Sequence, residues 1–181
     1  MSHLNFLSAK RRSVRKYAEG TVEPEVLRDL LESALRAPTS HNNRGCYFVV
    51  VDNRDMLERL SGCREKVSAF VGRSAVSVVV CARHGKSTLP YVDCAIAASY
   101  LQLAVTDNEL GSCWCQLQDR TASDGTDSEA YVRTLLGLPS QDHVLCIIAI
   151  GVPQDKDLEP RANEPEWERV YLQRYEERGE E

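Results

Sequence analysis

Residues 93–114 read DCAIAASYLQLAVTDNELGSCW. No charge falls between Asp93 and Asp107, and apolar residues occupy nearly every face of the helix that the spacing predicts over 90–111. A helix that is apolar all round belongs inside a fold, so this one is expected to be the central core helix. Its charge-free run is too short to cross a bilayer. Gly111 is the expected stop, and GSCWCQL (111–117) then reads as a short strand.

Working outward, DSEAYVRTLLGL (127–138) reads as a helix ending at Gly137, and HVLCIIAIGVP (143–153) as a long buried strand. Upstream, AVSVVVCAR (75–83) and CYFVVVDN (46–53) read as strands buried on both faces. Short helices are expected between them over DMLERLSG and REKVSAFVG. EPEVLRDLLESALRA (23–37) is an amphipathic helix with Thr21 as candidate N-cap and Pro24 in its first turn. A short helix is expected near 5–12, and a charged amphipathic one near 166–178, beyond Pro160 and Pro165. Strands interspersed with helices give an α+β architecture, with helices flanking a central sheet.

The chain has 181 residues, with no repeat, linker or internal boundary, and reads as one domain over 1–181. A hydrophobic share of 43% and a charged share of 27% suit a soluble globular protein. The net charge of −5 argues against a surface devoted to nucleic acid or anionic membrane, and leaves room for a local basic pocket. No signal-peptide pattern opens the sequence, and seven cysteines, an odd number, point to reduced thiols in the cytoplasm. Cys63, Cys81, Cys94 and Cys146 lie in apolar segments and are expected in the core.

GxGxxG, P-loop, GxSxG and HExxH motifs are absent. Cys113 and Cys115 form a lone CxC without a second ligand pair, and His3, His41, His84 and His143 are scattered, so no metal site is expected. Three segments carry candidate chemistry. KRRSVRK (10–16) gathers five cations around one serine, either a solvated charge run or a phosphate site. RAPTSHNN (36–43) is either a turn-rich connection or a set of polar groups for a flat heteroaromatic ligand. ELGSCWCQL (109–117) places a tryptophan among small residues, either a core tryptophan or a platform for a planar ring.

Taken in order, these segments resemble the flavin-dependent nitroreductase family. RRSVRKY (11–17) is similar to its opening Arg-x-Ser-x-Arg/Lys motif, and RAPTSHNN running into YFVVV is similar to its Ala-Pro-Ser-Ser-x-Asn loop and strand. Residues 93–114 resemble its long helix ending in Leu-Gly-x-x-x-Trp, and LGLPSQDHVLCIIAIGVP (136–153) its Leu-Gly-Leu-Pro, strand and Gly-Tyr-Pro.

The resemblance implies a central mixed, mainly antiparallel sheet and a homodimer with FMN at the subunit interface. It implies that Arg11, Arg12, Ser13 and Arg15, joined by Arg161, hold the phosphate and ribityl chain. Arg36, Pro38, Thr39, Ser40 and Asn42 would reach the flavin from the opposite subunit, and Cys113, Trp114 and Cys115 would face its ring. The segment near 160–181 would reach across the dimer. NADH or NADPH would reduce the flavin by hydride transfer, and a small-molecule acceptor such as a nitroaromatic or quinone would reoxidise it in a ping-pong cycle. The alternative is a non-catalytic flavin-binding or storage protein on the same fold. The chain departs from the pattern at Asn43, Arg44, Gly45 and Cys46, where the family usually continues with Gln-Pro-Trp after one variable residue.

Overall fold

The structure, a computed structural model, describes residues 1–155 and 165–175. Among the described residues six helices are present: α1 (His3–Lys10), α2 (Pro24–Leu35), α3 (Arg54–Leu60), α4 (Ala69–Gly72), α5 (Pro90–Asp107) and α6 (Ser128–Leu136). The strands are β1 (Cys46–Val51), β2 (Val76–Ala82), β3 (Gly111–Gln116) and β4 (His143–Gly151). They form one sheet in the order β1-β2-β4-β3, with every neighbouring pair antiparallel. A single parallel bridge, Ser13 to Ser112, adds the N-terminal segment to the outer edge of β3.

Alternation along the two central strands builds a core on each face of the sheet. Val78, Val80, Ile148 and Ile150 pack toward α2 and α5, meeting Leu30, Ala34, Ala98, Leu101 and Val105. Val79, Cys81, Ile147 and Ala149 pack on the other face with Leu57, Leu60, Val71 and Val132. Cys63, Cys81, Cys94 and Cys146 are fully buried, as their apolar surroundings predict.

Four local expectations need correction. β1 pairs only with β2, so it is a half-buried edge strand and not a strand buried on both faces. Its apolar run meets the two core layers at their margin. Helix α2 is capped at Glu23, without a side-chain hydrogen bond, and Thr21 does not cap it. Helix α5 ends at Asp107; Glu109 takes the left-handed conformation (φ 58°), and Gly111 is the first residue of β3. Of the helix expected near 166–178, residues 165–175 form only a 3-10 turn, Trp167–Arg169.

Gly137 does end α6, at φ 67°, and Asp127 caps that helix by accepting from the Ala130 N–H. Helix α5 is less enclosed than its composition predicts. Cys94, Ala97, Ala98, Leu101 and Val105 are buried, while Val92 and Tyr100 lie on an exposed face.

Candidate functional site

The basic segment is latched to the sheet by two glycines. After α1 the chain runs extended, and the Val14 N–H donates to Ser112 C=O at 2.8 Å. Val14 sits over Gly111, where an added Cβ would lie 2.8 Å from its side chain. Tyr17 sits over Gly151, where a Cβ would lie 2.9 Å from its ring, and its hydroxyl donates to Val14 C=O at 2.7 Å. Gly111 and Gly151 are register partners across β3 and β4, so one cross-strand pair without side chains receives both knobs.

With Val14 turned inward, the alternation of extended chain sends Ser13 and Arg15 outward, and both are exposed. They meet Cys113 at the start of β3. Burial raises the Cys113 thiol above its ordinary value, and Arg15, the Ser13 hydroxyl and Arg11 pull against that rise. Arg12 has the opposite parity. It lines a separate cleft of about 330 Å³ with Lys10, Thr106, Glu109 and Pro153. Its Nε is buried without a hydrogen-bond partner. Among the described residues no ion pair involves Lys10, Arg11, Arg12, Arg15 or Lys16. The unpaired Arg11 and Arg15 beside the Ser13 hydroxyl fit an anionic group of the size of a phosphate, and Arg12 stands apart from them in its own cleft.

The edge strand beside them is open. Because Ser112 C=O points away from β4 to accept from Val14, the N–H groups of Trp114 and Gln116 also point outward. The Trp114 indole N–H donates to Gln116 Oε1 at 2.8 Å, and its ring lines a shallow groove with Tyr91, Ala95 and Ile96 of α5. Cys113 and Cys115 point to the other face and are buried, the Cys115 sulfur 3.7 Å from that of Cys63. Of the three residues, only Trp114 offers a side chain to the open edge.

The loop after α2 lies elsewhere. Its organiser is Asp93, in the first turn of α5 and only 1% exposed. Oδ1 accepts from the Ser40 N–H (2.8 Å), and Oδ2 accepts from Ser87 Oγ (2.6 Å), Ser40 Oγ (3.1 Å) and Asn43 Nδ2 (3.1 Å). Burial alone would raise this carboxyl, but the bonds from Ser87, Ser40 and Asn43 together outweigh it and leave it below the usual carboxylate range. His41, Asn42 and Arg44 all take left-handed conformations, at φ 50°, 52° and 49°. Three such non-glycine residues in one loop persist only where the surroundings over-determine them. Thr39 contributes by accepting from the Arg44 N–H at 3.1 Å, and Arg36 pairs with Glu32 one turn back on α2.

The structure therefore brings Arg11, Ser13 and Arg15 to β3, and gathers Thr39, Ser40 and Asn42 on a second site at the other end of α5. Eighteen residues of helix separate the two by roughly 27 Å. Arg161 lies outside the described residues. Sequence reading missed Asp93, Ser87 and the Gly111–Gly151 pair. Only Asp93 carried a visible signal, a carboxylate beside an apolar helical run.

Known proteins resemble this chain in sequence and fold. The sequence model of the Nitroreductase family matches residues 9–79 and 63–152. A putative NADH dehydrogenase/NAD(P)H nitroreductase of Archaeoglobus fulgidus is 29% identical over 150 residues, covering 81% of this chain and 83% of that protein. An FMN-dependent nitroreductase structure from Clostridium difficile R20291 is 35% identical, with a TM-score of 0.89 over 94% of this chain and 99% of that one. A putative NADH dehydrogenase/NAD(P)H nitroreductase from Parabacteroides distasonis superimposes with a TM-score of 0.86 at 26% identity, covering 97% of this chain and 100% of the other. The family model spans most of the chain and the fold agrees with these structures, so the chain belongs to the nitroreductase family.

Proposed function

We propose that this chain is an oxidoreductase that binds FMN between two copies of itself and passes electrons from NAD(P)H to a nitroaromatic, quinone or similar acceptor. The observation that carries the reading is the latch that fixes Arg11, Ser13 and Arg15 against the open edge of β3. Bound FMN would supply the two-electron hydride chemistry, with donor and acceptor using the same face in turn. Arg11, Ser13 and Arg15 hold the phosphate and ribityl chain, while Arg12 faces the separate cleft beside Thr106 and Glu109. The outward N–H groups of Trp114 and Gln116 supply fixed donors to the polar edge of the ring, and Trp114 walls its side. No acid, base or nucleophile of the protein is required.

A two-fold homodimer reconciles the separated halves. It brings loop 36–42 of one copy to β3 of the other. The exposed apolar face of α5, with Val92 and Tyr100, and the exposed Trp167, Leu172 and Tyr175 of the tail supply the surface to be buried. Among the described residues no helix is long and apolar enough to cross a membrane. The seven cysteines are all free thiols, which suits the reducing cytoplasm.

The test is a visible spectrum of the purified protein after addition of FMN, with NADH or NADPH oxidation then followed with and without menadione. Absence of retained flavin refutes the proposal. Retained flavin that neither donor reduces would identify a flavin-storage protein instead.

A further inference from the structure

We propose that Arg44, Arg83 and Lys86 form an anion site at the rim of the flavin site that recognises the 2′-phosphate of NADPH. The inference rests on the reading above, in which loop 36–45 of one copy covers the cofactor of the other.

Arg44 stands where the loop leaves the family pattern. Its left-handed backbone is fixed by the Thr39 hydroxyl, and its Nε donates to Asn42 Oδ1 at 3.2 Å. The next residue, Gly45, stitches this loop to the one after β2. Its C=O accepts from the Arg83 N–H at 3.0 Å, and a Cβ there would lie 3.0 Å from Lys86 Cβ. The Lys86 N–H closes the turn onto Arg83 C=O, and Arg83 lies over the Tyr47 ring at 5.9 Å. All three cations are exposed on two loops joined at one buried glycine.

The nearby carboxylates do not pair with them. Asp93 is taken up by Ser40, Ser87 and Asn43, and Asp142 accepts from the Tyr47 hydroxyl and the His84 N–H. Among the described residues no ion pair involves Arg44, Arg83 or Lys86. In a chain of net charge −5, three exposed cations here thus stand without an ion-pair partner. A guanidinium fork beside an ammonium binds a phosphomonoester dianion well. NADPH differs from NADH by that one group. It lies at the far end of the dinucleotide from the nicotinamide, so the residues that read it belong at the rim and not over the ring.

The experiment has a binding arm and a kinetic arm. Adenosine 2′,5′-bisphosphate and adenosine 5′-monophosphate are titrated into the protein by calorimetry. The kcat/KM ratio for NADPH over NADH is measured with a neutral quinone. Wild type is expected to favour the bisphosphate and NADPH by about tenfold or more, the worth of one charge-assisted contact. In Arg44→Gln/Lys86→Gln both preferences should fall to within about twofold, while Arg44→Lys, which keeps the charge, should retain most of them. Should the double variant not fold, Lys86→Gln alone carries the comparison, because that side chain makes no hydrogen bond or ion pair among the described residues. Equal use of NADH and NADPH by wild type overturns the proposal, as does an unchanged ratio in the variants. A change that follows 4-nitrobenzoate against nitrobenzene, with NADH as fixed donor, overturns it too, by assigning the site to the acceptor. The calorimetric arm runs with or without flavin, so failure to bind FMN and failure to read the phosphate are distinguishable.

Discussion

Replacing Asp93 by asparagine isolates the carboxylate that shapes the loop after α2. All four groups around it approach as donors: Ser40 N–H, Ser40 Oγ, Ser87 Oγ and Asn43 Nδ2. An amide keeps one acceptor oxygen and turns an NH₂ on the other side. The Ser40 N–H cannot reverse, so the amide oxygen must stay there and the NH₂ faces Asn43 Nδ2. Asn43 in turn cannot flip without losing the bond its Oδ1 accepts from the Gly45 N–H at 2.8 Å. One donor–donor contact and the charge assistance of the remaining bonds should cost about 2–3 kcal/mol. For a domain of this size that is a fall in Tm of roughly 4–12 °C. The loop would relax out of its three left-handed residues, so FMN affinity should fall as well. Thermal unfolding by circular dichroism and fluorescence titration of FMN read the two effects.

The pH dependence follows from the direction of the shift. The folded carboxyl is held below its unfolded value, so its stabilisation is complete above about pH 4 and is lost as pH falls through the lower folded value. The gap between wild type and Asp93→Asn should therefore be constant at neutral pH and narrow only in acid. A variant that melts within about 1 °C of wild type and binds FMN equally well would refute the reasoning.

Three further outcomes are expected. Gly111→Ala should cost about 1–3 kcal/mol by overpacking against Val14 and weaken FMN, and Val14→Gly, which removes the Cβ that the added methyl would meet at 2.8 Å as well as the two γ carbons, should recover part of the FMN affinity, read by melting and titration of the single and double variants. Arg11→Ala should weaken FMN by about tenfold or more and leave riboflavin, which lacks the phosphate, within about threefold; equal losses for both ligands would refute the phosphate role. Leu101→Ala, fully buried between α5 and the sheet, should cost about 2–5 kcal/mol in denaturant unfolding.

Much of the fold was legible because it is a matter of local pattern. The apolar runs of β2 and β4, the amphipathic stripe of α2 and the glycine that ends α6 are written within a few residues of where they act. Composition also marked α5 as the organising helix. What it could not indicate was that one face of α5 stays exposed in the single chain, since burial depends on what packs against a face and not only on its residues.

The candidate site divides in the same way. Residue types and order alone singled out the basic segment, the polar loop and the tryptophan strand, because charge and hydrogen-bonding capacity belong to the side chains themselves. The tertiary structure decided their relations: Val14 and Tyr17 seated on a paired Gly111 and Gly151, Arg12 turned from its neighbours by strand parity, and Asp93 tying the loop after α2 to Ser87. Those are contacts between residues far apart in the chain. They exist only when the sheet register and the position of α5 are fixed, and so they become visible only once the chain has folded.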